Sequence, residues 1–343
     1  MRTAQALVAT SDPSHPRRRI TRARPLAVLA ALSLAIAACT GGAYPDREIT
    51  IVVPFAEGGP TDTVTRLIAA PMAEELGAEI IISNVEGAGG TVAAEQVANA
   101  EADGYTVLMH HIGMSTAPTL YPDLAYDPLE DFEQIGLVTE VPMTFIGSPN
   151  FEPNTMEELV TYVEENIDTV TYANAGVGAA SQLCGLLFET ATGLDLTEVP
   201  YDGTGPAMED LLGDQVDFMC DQTTNTAERI LGDEVKAYAA TTPDRIEALP
   251  DVPTTEEAGF PDIQVTVWHG LYVPADTPQE VVDQLNAALV AALANEEVIS
   301  QLGRLGTAPV AADRATPEAH REQLQSQIEL WRPIIEDAGV TAG

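Results

Sequence analysis

VVPFAEGGPTD, residues 52–62, begins as an apolar run and stops at two glycines, Gly58 and Gly59. The next residues, TDTVTRLIAAPMAEEL, repeat their apolar positions at helical spacing. A strand, a glycine turn and a bare helix start are the opening of a βα unit. The same order recurs downstream. AEIIISNV reads as a strand, EGAGGTVAAEQVANA as a glycine turn and helix, and YTVLMHH as a third strand. A βαβαβ series implies a parallel sheet covered by helices.

Near residue 140 the pattern changes. VPMTFIGSPN reads as a strand leaving the first unit, and Thr155 with Glu158 forms a capping-box pattern before MEELVTYVEEN. A second series then begins: strand TVTYAN, a turn with Gly176 and Gly178, helix SQLCGLLFETAT, strand LTEVPY, turn and helix DGTGPAMEDLLG, and strand QVDFMC. VTVWHGLYVP, residues 265–274, reads as a strand crossing back. Thr277 is expected to cap the following helix and Pro278 to occupy its first turn, with Val281, Leu285, Leu289 and Leu293 on one face. Two βα units joined by two strands suit a hinge between lobes.

The 343 residues include 45% hydrophobic and 5% aromatic side chains, with a formal charge of −38. Such a surface argues against binding a nucleic-acid backbone, and the few aromatics argue against a base-stacking platform. Residues 1–38 read as an export signal: basic RRRITRAR, then an apolar run from Leu26 to Ala38 that is short for a membrane span. Ile36-Ala37-Ala38-Cys39 resembles a bacterial lipobox, so Cys39 is expected to carry a lipid that anchors the exported protein to the membrane. Removal of that segment's six arginines and one aspartate leaves 9 basic and 52 acidic residues, and Lys236 is the lone lysine. Repulsion on this scale is relieved by salt, which fits a saline exterior. Cys184 and Cys220 then remain as an even pair in an oxidising compartment and are expected to form a disulfide.

Three glycine turns follow expected strand ends: Gly58-Gly59, Gly87-Ala88-Gly89-Gly90 and Gly176-Val177-Gly178. Ligands of open parallel sheets collect beyond the carboxyl ends of the strands. A helix start offers unpaired N–H groups and partial positive charge, so it can hold a carboxylate without lysine or arginine. GGPTD lacks the dinucleotide and P-loop spacings, and GVGAAS is not a nucleophile elbow. His110 and His111, adjacent on a strand, should face opposite ways, so no metal site is expected there. His269 beside Trp268 lies on the returning strand and could touch the cleft.

Several blocks carry a family resemblance. YPDREITIVVPFAEGGPTD, EGAGGTVAAEQVANAEADGYTVL, YANAGVGAASQLCGLLFE, VPYDGTGPAMEDLLGDQVDFMCDQ, LPDVPTTEEAGFPD, WHGLYVPADTP and WRPIIEDAGV resemble the Bug/TctC receptors of tripartite tricarboxylate transporters, over residues 44–342. The resemblance implies an α/β, two-lobed type II periplasmic-binding-protein fold. Each lobe would be a mainly parallel sheet flanked by helices, joined by two crossing strands. Residues 44–144 and 271–343 would form lobe 1, and residues 145–270 lobe 2. It implies no enzyme activity and no cofactor, a small organic acid as ligand, and the transporter's membrane components as partners. By the same resemblance, Phe55, Gly59, Thr61 and Asp62 would lie in the first pinching loop. Asn174, Gly176, Gly178, Ala179 and Ser181 would lie in the second, with Thr204 and Asp221 at later strand ends. Ala179 stands where the family often has a hydroxyl residue, and Gln182 where it often has histidine. A ligand sensor signalling to a membrane partner, or an enzyme using the same cleft, are the competing readings.

Overall fold

The structure, a computed structural model, describes residues 44–342; Cys39 and the expected signal segment lie outside the described residues. In chain order the first unit contains β1 (Ile49–Val53), α1 (Pro60–Leu76), β2 (Ile80–Asn84), α2 (Thr91–Ala98), β3 (Thr106–His111) and α3 (Gly113–Leu120). A long strand, β4 (Phe132–Gly147), leads out of it. The second unit contains α4 (Met156–Glu165), β5 (Thr171–Asn174), α5 (Ala180–Thr192), β6 (Thr197–Pro200), α6 (Thr204–Leu212), β7 (Phe218–Gln222), α7 (Thr223–Leu231) and β8 (Lys236–Ala240). The chain returns through β9 (Thr266–Pro274) and ends in α8 (Gln279–Leu293), α9 (Glu296–Arg304) and α10 (Pro317–Ala338).

β1 pairs in parallel with β2 and β3, and β5 pairs in parallel with β6 and β7. These are the two βα sheets read from the sequence. β4 and β9 join them, antiparallel to each other over Phe132–Pro142. β9 also pairs with β3, while Met143–Gly147 of β4 pair with β7 and β8. With 16 residues, β4 extends roughly 50 Å, long enough to serve both sheets. Its partner changes at Pro142/Met143, so the two lobes meet along one continuous strand and its neighbour.

α1 shows why the first unit closes. Pro60 begins it, where no N–H is needed, and left-handed Gly77 ends it. Val64, Ile68 and Met72 recur at helical spacing and are buried with Ile49, Ile51 and Val53 of β1 and Leu285 and Leu289 of α8. Each such aliphatic contributes about 1.5–3 kcal/mol through burial. The expected face of α8 is buried as read. Its cap differs: Pro278 is the N-cap, and the Thr277 hydroxyl donates to the Pro274 carbonyl at 2.7 Å. Thr155 does cap α4, accepting the Glu158 N–H at 3.1 Å, while the Glu158 carboxylate accepts the Asn154 N–H at 2.8 Å.

Candidate functional site

The starts of α1, α5, α6 and α7 converge on one small cavity. Its walls include Pro60 and Thr61, Ala180 and Ser181, Thr204, and Gln222, together with Phe55, His111, Ala175, Ala179 and Asp221. The N-cap residues of these helices are Gly59, Ala179, Gly203 and Gln222, and none makes a side-chain cap hydrogen bond. Away from the cavity, α4, α9 and α10 are capped by Thr155, Asn295 and Thr316, while α2, α3 and α8 also lack a side-chain cap. Uncapped helix starts leave N–H groups and positive partial charge for an anion. Among the described residues no lysine or arginine lines the cavity.

Six residues expected at the site line the cavity: Phe55, Thr61, Ala179, Ser181, Thr204 and Asp221. Gly59, Asn174, Gly176 and Gly178 shape the loops behind it. The Asn174 side-chain oxygen accepts the Gly176 N–H at 2.8 Å, and Gly176 and Gly178 adopt φ of +89° and +84°. Side chains other than glycine rarely take that conformation. Asp62 points elsewhere. Its carboxylate accepts Gly58 N–H at 2.9 Å, Arg66 Nε at 2.7 Å and Asn84 Nδ2 at 3.1 Å. It therefore braces the first loop and borders a separate groove beside α9. His111 and Gln222 border the cavity without having been singled out as ligands; the strand-end rule that pointed to Asp221 applies equally to both.

The two adjacent histidines do not diverge. β3 ends at His111, where the chain turns: the His111 N–H donates to His110 Nδ1 at 2.8 Å and the Gly113 N–H to His111 Nδ1 at 3.0 Å. Both rings gather on Phe55, with centroids 6.1 and 4.7 Å away. His269 joins them, 5.9 Å from His111 and 3.3 Å from the Thr61 hydroxyl. Burial lowers the pKa of His110 to about 4 and of His269 to about 3, and holds His111 well below its usual value. With Nδ1 accepting, neutral His111 keeps its proton on Nε2. Among the described residues no three His, Cys, Asp or Glu side chains converge as a metal site.

Asp221 forms the floor. It is 1% exposed and accepts Asn225 Nδ2 at 2.6 Å. Burial pushes its carboxyl up to about 6, against the lowering effect of Asn225, the Gln222 backbone and Thr204. Beneath the cavity Cys184 of α5 and Cys220 of β7 are joined in a disulfide, with Cα atoms 6.1 Å apart. Ser181 Oγ accepts the Ala175 N–H at 2.9 Å, and the Tyr172 hydroxyl donates to the Ser181 carbonyl. The lobes touch around the rim: the Ala56 N–H donates to the Asp202 carbonyl at 3.2 Å, and Gly89 lies against Val177.

Comparison with known proteins agrees with this architecture. The family model described as "Tripartite tricarboxylate transporter family receptor" matches residues 64–340. A UPF0065 protein from the TAR-I ttuE-ttuC' intergenic region of Agrobacterium vitis is 49% identical, over 86% of each chain. The structure of the periplasmic binding protein BugD superposes with a TM-score of 0.85 at 47% identity, covering 87% of this chain and 99% of BugD. MatC from Rhodopseudomonas palustris, solved with bound malate, gives 0.83 at 42% identity, covering 85% of this chain and all of MatC. The fold is that of the two-lobed periplasmic binding proteins, and the chain belongs to the TctC family of tripartite tricarboxylate transporter receptors, alongside the Bug proteins.

Proposed function

We propose that the protein captures a small carboxylated solute outside the cytoplasm and presents it to the membrane components of a tripartite tricarboxylate transporter. The observation that carries this reading is the convergence of four uncapped helix starts on a cavity that no lysine or arginine among the described residues lines. Such a site suits a carboxylate held by backbone N–H groups and hydroxyls. MatC's bound malate supports the same ligand class. The proposed ligand set is Phe55, Thr61, Ala179, Ser181, Thr204 and Asp221, with Gly59, Asn174, Gly176 and Gly178 setting the loops. The cavity volume, about 20 Å³, leaves room for little more than a water molecule. Malate is larger, so the ligand enters when lobe 1 (residues 44–144 and 271–343) and lobe 2 (residues 145–270) part about β4 and β9. With the signal segment 1–38 removed on export, a lipid on Cys39 would hold the receptor at the membrane face where its transporter sits.

A thermal-shift screen at high salt tests the reading. Malate and related small acids should raise the melting temperature, by the equivalent of ~2.7 kcal/mol at one hundred times Kd, and be recovered unchanged. The corresponding amides and esters should do far less. Equal shifts from acids and their neutral analogues would sink the carboxylate site, and conversion of the ligand would point to an enzyme.

A further inference from the structure

At least two carboxylates must share the closed cleft if the proposed ligand class is right. One or more belong to the ligand. The other is Asp221, on the cavity floor and 1% exposed. The helix starts would hold the ligand's charge, but among the described residues no lysine or arginine lines the cavity to neutralise Asp221. Like charges at this range in a desolvated site cannot both persist, and one group takes up a proton. We propose that the cleft binds its carboxylate together with one proton, held between Asp221 and the ligand, so that the bound species is a hydrogen-bonded acid–carboxylate pair. This inference rests on the carboxylate reading above and specifies the protonation state of its complex.

Burial favours the neutral acid of Asp221 over the opposing pull of the hydrogen bonds it accepts, and the groups around it bring no positive charge. Thr144 of β4 pairs with it, Asn225 of α7 donates to its Oδ2, and Thr204 of α6 and Ser181 of α5 share its cavity. All are uncharged. The titratable groups facing it are Tyr172, on neighbouring β5, and His111, across the cavity. Burial raises the tyrosine well above its usual value and lowers the histidine well below its own, so neither changes charge near neutral pH. Asp221 itself, pushed up to about 6 by burial, is the group poised to gain a proton there. One Asp221 oxygen is held by Asn225. A proton on the carboxyl makes it a donor toward a ligand oxygen, which the ionised form cannot be.

The proton is taken up from solvent on binding and returned when the ligand leaves. Above the free-state pKa of Asp221, binding should therefore weaken about tenfold per pH unit. Malate's own carboxyls stay ionised over that range.

Calorimetric titration of the full exported protein with malate is the test, at pH 7.5 in two buffers of different ionisation enthalpy. The wild type should take up close to one proton per malate bound, and its Kd should rise about tenfold per unit between pH 6.5 and 8.5. Asp221→Asn should bind with no proton uptake and a Kd independent of pH. Zero uptake by the wild type with a flat Kd overturns the proposal, whether or not the variant folds. So does loss of malate binding by a folded Asp221→Asn at every pH, which would mean that the ionised carboxylate is needed. Tighter binding of malate's amino analogue without proton uptake would set an ammonium against ionised Asp221, and overturns it too. If no small carboxylate binds between pH 5 and 8.5, the carboxylate reading itself falls and takes the proposal with it.

Discussion

The hydroxyl of Tyr121 lies 2.7 Å from the carbonyl oxygen of Val177, across the mouth of the cleft. Tyr121 follows α3 in the first unit, and Val177 sits in the loop between β5 and α5 in the second. The same hydroxyl is 2.8 Å from the Ala88 carbonyl. Behind it, a Cβ added to Gly89 would lie 2.0 Å from Val177 O, so the two loops meet backbone to backbone. Tyr121→Phe keeps the ring and removes the link. A neutral hydrogen bond contributes about 0.5–1.5 kcal/mol, so Kd should rise roughly two- to twelvefold. The change should appear in the dissociation rate, since the bond forms only when the lobes are closed. Stopped-flow release of malate checks this; an unchanged dissociation rate would remove Tyr121 as a closing contact.

Ser181 has two duties. Its Oγ accepts the Ala175 N–H, holding the second loop, and its own proton is left to donate into the cavity. Ser181→Ala should weaken malate binding by about tenfold or more, because a hydrogen bond to a charged group contributes roughly 1.5–3 kcal/mol. It should also cost about 1 kcal/mol of stability through the lost Ala175 contact. Isothermal titration and urea unfolding separate the two. A stability loss with unchanged affinity would assign Ser181 to the loop alone.

The βα order was legible because apolar runs of strand length end at glycine turns, and helix patterns follow. The crossing strands were legible too, since VPMTFIGSPN and VTVWHGLYVP break that alternation. Individual side chains were harder. Asp62 stands next to Thr61, yet one residue of helix turns it about 100° away. It meets Arg66 one turn on, while Thr61 and Thr65 stay together on the inner side. That i,i+4 pair was visible in the sequence and argues against a ligand role. His110 and His111 defeated strict strand alternation because β3 ends at His111, where local side-chain-to-backbone bonds replace the ladder. Burial decided Asp221's character, and burial depends on both lobes.

Acid should destabilise the protein below about pH 6.5. His110, His269 and His320 are buried, with pKa values lowered to about 4, 3 and 3. The unfolded chain binds their protons near pH 6.5, so their neutral burial supports the fold above that pH and the support is lost as pH falls toward 4. For His110 this amounts to about 3 kcal/mol. Asp221 acts in the opposite sense, gaining stability as pH falls below about 6, as do Glu189 and Glu198, whose pKa values are also raised, but the fully buried histidines, His111 among them, are the larger effect. Among the described residues neither ring nitrogen of His320 has a hydrogen-bond partner. His320→Phe should therefore flatten the pH dependence between 6.5 and 4. Urea midpoints at pH 5 and 7.5 measure it, and an identical slope in the variant would exclude His320 as a contributor.

Salt should stabilise the fold. The chain carries a formal charge of −38, and its repulsion acts over ~30 Å at 0.01 M salt but only ~3 Å at 1 M. Screening also weakens ion pairs such as Arg47–Asp103 and Arg245–Glu257, but exposed pairs contribute only about 0–1 kcal/mol each. Repulsion is the larger effect. The melting temperature should be higher in 1 M than in 0.01 M potassium chloride, and a flat or falling trend would show that repulsion does not limit stability.

The Cys184–Cys220 disulfide should set both the stability of the second lobe and the shape of the cleft. It spans a sequence separation of 36, and closing a loop of that size stabilises the fold by roughly 3–4 kcal/mol on the chain-entropy account. Its position adds a second effect. Cys184 lies one helical turn after Ser181, and Cys220 immediately precedes Asp221, so the bond fixes one cavity wall against the floor. Both cysteines are fully buried, so reductant should act on the unfolded chain and leave the native protein oxidised. Refolding under reductant should lower the urea midpoint by the equivalent of that stabilisation and weaken malate binding. Cys184→Ala/Cys220→Ala should show the same losses and be insensitive to reductant. Two alkylatable thiols in the denatured, unreduced protein would mean that the bond does not form, and an oxidised protein with an unchanged midpoint on reduction would mean that it forms without stabilising the fold.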